Sequence, residues 1–262
     1  MEGNKVAGGL RGLRIQVAGF GVVGSAQAYL VSRLGHRAFI YDPYKGYGRL
    51  VRDVDVTFIC TPEDCVEDVV RTLVAEGVRG LYVIRSTVPV GTTQRLIGEY
   101  GVHICHNPEF LRESHSFEDA LHPSRVVIGE CCREDGDLLE RLYAPLNRPV
   151  YRTNPQTSEL IKLVSNSLRA VNISFWNELY LLCQRVGADI GVVAEAADPA
   201  KVLGEWEGGK WGTKFFGKPY GGKCLPKDIR HLINAFTQNG LNPAILEAAE
   251  QVNATMKALH GQ

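Results

Sequence analysis

Several things are scarce in this sequence, and each absence narrows what the chain does. Its seven cysteines contain no CxxC pair, so the spacing of a zinc ribbon is missing and no metal site is expected. No uninterrupted apolar run approaches the roughly 18 residues of a membrane span. There is no low-complexity run and no internal repeat. The opening "MEGNKVAGGLRGLR" lacks the apolar centre of a signal peptide. Net charge is absent as well: 29 basic residues balance 29 acidic ones, so nothing draws the whole chain to nucleic acid or to an anionic membrane. An anionic ligand would need a local basic site. These absences describe a reduced, cytoplasmic protein in which most thiols serve as small buried hydrophobes.

What is present is enough apolar residue, 45% of 262, to bury a substantial core without disulfide or metal staples. Short apolar strands alternate with helices through the first part. "RIQVAGF", "HRAFIYD", "DVDVTFICTP", "RGLYVIRST", "VHICHNPEF" and "RVVIGE" read as six strands, the last after a loop over residues 110–124. Such alternation predicts a doubly wound, Rossmann-like parallel sheet covered by helices on both faces. From residue 156 the period changes. "QTSELIKLVSNSLRAVNISFWNELYLLCQRVG" has no proline and no internal glycine, and its apolar residues recur at three and four spacing. It predicts one very long helix, with further helices at "GVVAEAA", "KDIRHLINAFTQNG" and "NPAILEAAEQVNATMKALHG". The expected organisation is α/β, with a dinucleotide-binding domain over 1–150. An all-helical domain with a long central helix follows over 151–262 and offers a surface for a homodimer.

Five short motifs carry chemistry. "GFGVVG" places Gly19, Gly21 and Gly24 around Phe20, Val22 and Val23, between a strand and a helix, and Asp42 ends the next strand 18 residues on. That context is the dinucleotide fingerprint: a tight turn, a close approach for pyrophosphate, a close helix–strand contact, and a carboxylate for the ribose hydroxyls. The carboxylate favours NAD over NADP. Thr61 and Pro62 in "CTPED", and Thr87 in "RSTVPVGTT", end strands on the ligand side. They either touch the cofactor or hold a water, or are plain turns. Glu109 in "NPEFLRES" is either a general base and water-holding group or a solvated loop carboxylate. Lys162 and Asn166, four apart on the long helix, either steady an oxyanion or, for the lysine, snorkel to solvent. In "YGGKCLPKD", Cys224 stands between Lys223 and Lys227 just before a helix, with Asp228 at the same helix end. Positive charge and a helix N-terminus favour a nucleophilic thiolate, against the alternative of one more packed sulfur.

One mechanism uses all of these: oxidation of a primary alcohol to an aldehyde, capture of the aldehyde by a thiolate, a second oxidation to a thioester, and hydrolysis. The motifs "GFGVVG", "STVPVGT", "NPEFLRES", "SELIKLVSNSLRAVNISFWNEL" and "GGKCLPKD" occur in that order, and the chain from about 14 to 257 resembles the UDP-glucose/GDP-mannose dehydrogenase family of nucleotide-sugar dehydrogenases. The resemblance implies NAD as cofactor and a nucleotide sugar as substrate. It makes Cys224 the thioester nucleophile, with Lys162 and Asn166 on the oxyanion. Glu109 activates water with help from Thr87 and Asp228. Phe110, Leu111, Arg112 and Glu113, with Tyr220, Gly221 and Lys227, lie along the substrate. The long helix forms the dimer core.

The chain departs from the family pattern in four places. The stretch from Asp42 to Thr61 is only nineteen positions. The nucleotide-covering third domain has no counterpart, which raises the expectation of a separately encoded nucleotide-binding partner. Pro219 and Lys223 replace a usual glycine and serine. The arginine sent across the dimer has no clear match, Lys210 and Lys214 being the nearest. Two other readings stand beside the first. One is a two-electron hydroxy-acid dehydrogenase of the 6-phosphogluconate or 3-hydroxyisobutyrate type. The other is a non-catalytic NAD-binding subunit.

Overall fold

The computed structural model describes residues 12–197 and 217–261. It divides into two compact units, Met1–Lys162 and Leu163–Gln262, with the division inside the long helix.

The first unit is built on a sheet of seven strands. These are β1 (Arg14–Ala18), β2 (Arg37–Tyr41), β3 (Asp53–Ile59), β4 (Arg79–Ile84), β5 (Ile104–His106), β6 (Val126–Gly129) and β7 (Val150–Thr153), in the order β2-β1-β3-β4-β5-β6-β7. Five strands from β2 to β5 run parallel; β6 is antiparallel to β5, and β7 is parallel to β6. The sequence predicts six strands and a wholly parallel sheet. Strand β7 escapes that reading because "VYRT" is short, partly exposed and lacks alternation. The reversal at β6 escapes it because strand direction is set by the path of the connection, which no local pattern records.

The helices are α1 (Val22–Arg33), α2 (Val66–Ala75), α3 (Thr92–Tyr100), α4 (Ser116–Leu121) and α5 (Arg133–Tyr143). Residues 110–124, expected as loop, contain α4. The central strands are apolar on both faces, and alternate residues feed two cores. Leu81 and Val83 of β4 join Ile15, Val17, Phe58 and Leu139 on one side. Tyr82 and Ile84 join Val70, Leu73 and Leu96 on the other. A strand buried on both faces suits a sheet sandwiched by helices.

Helix α6 (Pro155–Val186) runs 32 residues and carries the chain out of the first unit. In the second unit it is followed by α7 (Ile190–Ala196), α8 (Leu225–Gln238) and α9 (Ala244–Leu259). Ala170 and Ile173 of α6 pack with Tyr220, Ile229 and Ala249 in a small core. Among the described residues, no helix is long and apolar enough to cross a membrane. The fold is α/β, a Rossmann-like sheet followed by helices.

Candidate active site

The turn from β1 into α1 is shaped by its glycines. Gly19 has φ +90, and a Cβ there would lie 2.9 Å from the Cys60 carbonyl. At Gly24 a Cβ would lie 1.9 Å from the Gly19 carbonyl oxygen, so only glycine lets the helix start this close to the strand. A Cβ at Gly21 would meet nothing within 4 Å. Gly21 is the N-cap of α1 and supplies no side-chain cap, so the first amides of the helix have no capping side chain from it. Beside Gly19, Thr61 Oγ1 after the end of β3 is buried without a hydrogen-bond partner in the described residues. Asp42 Oδ2 accepts the Phe20 amide at 2.8 Å, and Lys45 Nζ donates to the Phe20 carbonyl at 2.7 Å, which ties the end of β2 to the glycine turn. An uncapped helix end, an open glycine, an unmet hydroxyl and a nearby carboxylate fit a dinucleotide. Phe20 and Val23 turn their side chains to the core, while Val22 is exposed and Pro62 lies at the surface.

The turn after β4 is different. The buried Glu159, five residues into α6, accepts the Gly91 amide at 2.6 Å, the Thr93 amide at 2.8 Å and the Thr93 hydroxyl at 2.6 Å. A carboxylate from 68 residues away thus caps α3. Burial raises the pKa of Glu159, against the lowering effect of these hydrogen bonds. Thr87 lies partly buried in this turn.

After β5 comes the "NPEF" turn. Asn107 anchors it: its amide donates to the Val127 carbonyl at 2.6 Å, and its oxygen accepts from Tyr143 and Arg85. His106 is fully buried between Ser158 Oγ at 2.8 Å and the Ser86 carbonyl at 3.4 Å. Burial lowers its pKa to about 3, helped by the charges of Lys162 and Arg85, so it stays a neutral imidazole. Lys162 does not snorkel. Only 5% exposed, it donates to Glu109 twice, at 2.7 Å to the backbone carbonyl and 2.9 Å to Oε1. Glu109 Oε2 accepts the Leu111 amide at 2.6 Å. This carboxylate is therefore a held group, not a solvated loop residue. Phe110 lies under Arg125 at 3.8 Å and beside Lys162 at 5.4 Å. Further along, Leu111 packs on the core, Glu113 opens an exposed single turn, and Arg112 is paired with Asp119 at 2.6 Å.

In the second unit, Cys224 is the N-cap of α8, and of the seven cysteines it is the exposed one. The Arg169 guanidinium of α6 lies close enough to Cys224 for their charges to interact. Asp228, one turn into α8, is fully buried. Its Oδ2 accepts from Asn166 Nδ2 at 2.5 Å, and Lys227 Nζ lies 3.1 Å from Oδ1 as an ion partner without hydrogen-bond geometry. The turn before the cysteine is fastened from two helices. Asn177 holds Gly217 and Lys218, and Asn253 takes both the amide and the carbonyl of Tyr220. Tyr220 itself is 3% exposed and hydrogen-bonds Glu250, so its ring belongs to the core rather than to an open surface. Gly221 and Lys223 are exposed. Lys210 and Lys214 lie outside the described residues.

Sequence reasoning missed Glu159, Asn107, Arg169, Asn177 and Asn253. Each acts on a partner far along the chain. Only the position of Glu159 inside "SELIK", three residues before Lys162, was in plain view.

Comparison with known proteins adds to this picture. The NAD-binding domain of the UDP-glucose/GDP-mannose dehydrogenase family matches residues 43–147, and that family's central domain matches residues 156–255. UDP-glucose 6-dehydrogenase YwqF of Bacillus subtilis is 35% identical over 187 residues, covering 68% of this chain and 41% of its own length. UDP-glucose 6-dehydrogenase of Pseudomonas aeruginosa is 35% identical over 234 residues, covering 79% of this chain and 50% of its own. The chain thus spans half or less of these curated relatives. A UDP-glucose dehydrogenase structure from the archaeon Pyrobaculum islandicum superposes with a TM-score of 0.82 at 28% identity, covering 98% of this chain and 71% of that one. With both of its domain models matching over most of the chain, the chain belongs to the UDP-glucose/GDP-mannose dehydrogenase family.

Proposed function

We propose that this chain oxidises the primary alcohol of a nucleotide sugar to a carboxylate, with Cys224 as the nucleophile. The observation that carries the reading is the placement of Cys224. It is the exposed cysteine, and it stands at the N-cap position of a helix of 14 residues with a guanidinium nearby. A helix N-terminus and a cation both favour thiolate over thiol.

The residues around the β1–α1 turn would hold NAD: the α1 amides on the pyrophosphate, Asp42 on a ribose, Thr61 and Thr87 at the strand ends. Bound there, NAD would accept a hydride from the substrate carbon while the hydroxyl proton leaves to solvent, and a second NAD, exchanged for the NADH formed, would accept the hydride of the second oxidation. Lys162 and Asn166 steady the oxygen of that carbon as it gains charge. The Cys224 thiolate adds to the aldehyde carbon, forming a C–S bond and an oxyanion. Loss of the second hydride leaves a thioester. Glu109 takes a proton from water, the resulting hydroxide adds to the thioester carbon, and the C–S bond breaks to return the thiolate. Asp228 holds Asn166 in place through the Asn166 Nδ2 hydrogen bond and, with Thr87, assists Glu109 in activating the water.

Helix α6 exposes Leu160, Val164, Leu168, Phe175, Leu182 and Val186. A stripe of this kind on a soluble helix marks an association surface, and a homodimer through α6 is part of the same reading.

The test is NADH yield with UDP-glucose, UDP-N-acetyl sugars and GDP-mannose in parallel, with and without a nucleotide-binding partner domain. The reading requires two NADH and one carboxylate per substrate. One NADH per substrate would favour a two-electron hydroxy-acid dehydrogenase. NAD binding without NADH from any sugar, in both conditions, would favour a non-catalytic subunit.

A further inference from the structure

Away from the nucleotide turn, four side chains of the first unit converge. Residues His103, Cys131, Cys132 and Asp135 each present one donor atom, and the four atoms lie within 4.8 Å of one another. The strand reversal creates the cluster. His106 of β5 pairs with Gly129 of β6 in antiparallel register. Continued three residues outward, that register sets His103 opposite Cys132. Asp135 then enters from the first turn of α5. Because β5 and β6 run oppositely, the cluster sits at the edge where β5 begins. The nucleotide turn sits at the other edge, where β1 and its parallel neighbours end.

The contacts centre on one atom. Asp135 Oδ2 lies 2.6 Å from His103 Nδ1, 2.9 Å from Cys131 Sγ and 3.0 Å from Cys132 Sγ. Cys132 Sγ lies 3.8 Å from His103 Nδ1. A carboxylate oxygen offers about two lone pairs to hydrogen-bond donors, so three neighbours crowd it. Among the described residues its ion-pair partner is His103, with no lysine or arginine. A tetrahedral zinc ion with ligand bonds near 2.0–2.3 Å would space these donors by about 3.3–3.8 Å. Each observed separation is within about 1 Å of that spacing. Two thiols, an imidazole and a carboxylate form a closed set of the mixed sulfur, nitrogen and oxygen kind that suits zinc.

We propose that His103, Cys131, Cys132 and Asp135 bind one zinc ion that fastens β5, β6 and α5 together. The two thiols release their protons to solvent on binding, and the imidazole coordinates as the neutral form. The location gives the ion a structural task. β5 and β6 share a single registered pair, His106 with Gly129, so the junction where the sheet reverses is its thinnest seam. His103 is largely exposed, which leaves an entry path from solvent. The proposal is independent of the oxidation chemistry.

The test uses the full chain, reduced and metal-free, titrated with cobalt(II) and then with zinc. The expected result is a tetrahedral cobalt spectrum with a thiolate-to-cobalt charge-transfer band, saturating at one ion per chain and erased by zinc. Cys131→Ser with Cys132→Ser should abolish the band, and Cys224→Ser should leave it. His103→Gln, at an exposed position with little bearing on folding, should weaken cobalt binding at least about tenfold. Zinc should also raise the Tm of the parent chain and not of the double variant. A folded parent chain that shows no tetrahedral cobalt band overturns the proposal. So does a band that survives the double serine variant, is unmoved by His103→Gln, or disappears in Cys224→Ser.

Discussion

Two helices of the same sheet begin at glycine-containing turns, and they treat their first amides in opposite ways. At α1 the N-cap Gly21 provides no cap and faces open space. At α3 the buried Glu159 fills the helix end with three hydrogen bonds. Both turns follow parallel strands, where ligands of such sheets collect. Their difference separates a helix end kept for an external anion from one already satisfied by the protein's own carboxylate. It also explains why "STVPVGTT" and "SELIK" occur together: the second motif caps the first.

The comparison breaks most sharply at Gly24. Gly24→Ala puts a methyl 1.9 Å from the Gly19 oxygen. It should cost about 3 kcal/mol or more of stability and abolish NAD binding, as read by denaturant titration and calorimetry. Glu159→Ala strips the α3 amides of their partner and should cost about 2 kcal/mol. NAD affinity should stay within about twofold, a change too small to indicate lost contacts. A large loss of NAD affinity in that variant would mean that the α3 end is part of the cofactor site after all. Gly21→Ala is the converse: the space is open, so stability should hold while NAD binding weakens about tenfold, or about 1.4 kcal/mol.

The smallest expected effect is a pH slope. His106, in contact with Ser158 beside Glu159, is neutral when folded, with a pKa near 3 set by burial. Unfolded, it titrates near 6.5, so below that pH the unfolded chain binds a proton that the folded chain refuses, and stability falls as pH falls. From pH 7 to 6 the loss is about 0.7 kcal/mol. His106→Gln should flatten the slope in part. His36, also lowered by burial, keeps the remainder.

Much of the first unit was legible because its signals are local. The glycine turn, the strand ending in Asp42 and the long helical period are each contained in a few residues. Lys162 was ambiguous by itself, since composition does not say whether its ammonium reaches solvent or Glu109, 53 residues away. The Glu159 cap, the Asn107 anchor and the Arg169 neighbour of Cys224 depend on distant partners in the same way. The strand reversal at β6 was invisible for a related reason. It is the reversal that sets His103 against Cys132, so adjacent cysteines with no metal-like spacing became a cluster only in the fold.

The proposed oxidation turns on one sulfur. The direct measurement is a Cys224→Ser variant mixed with NAD and UDP-glucose, with NADH followed optically and the protein mass followed in parallel. Turnover to the carboxylate should fall by at least about 1,000-fold. At most one slow hydride step should remain, with a trapped ester or a free aldehyde. Two NADH per sugar at the parent rate from this variant would contradict the proposed oxidation.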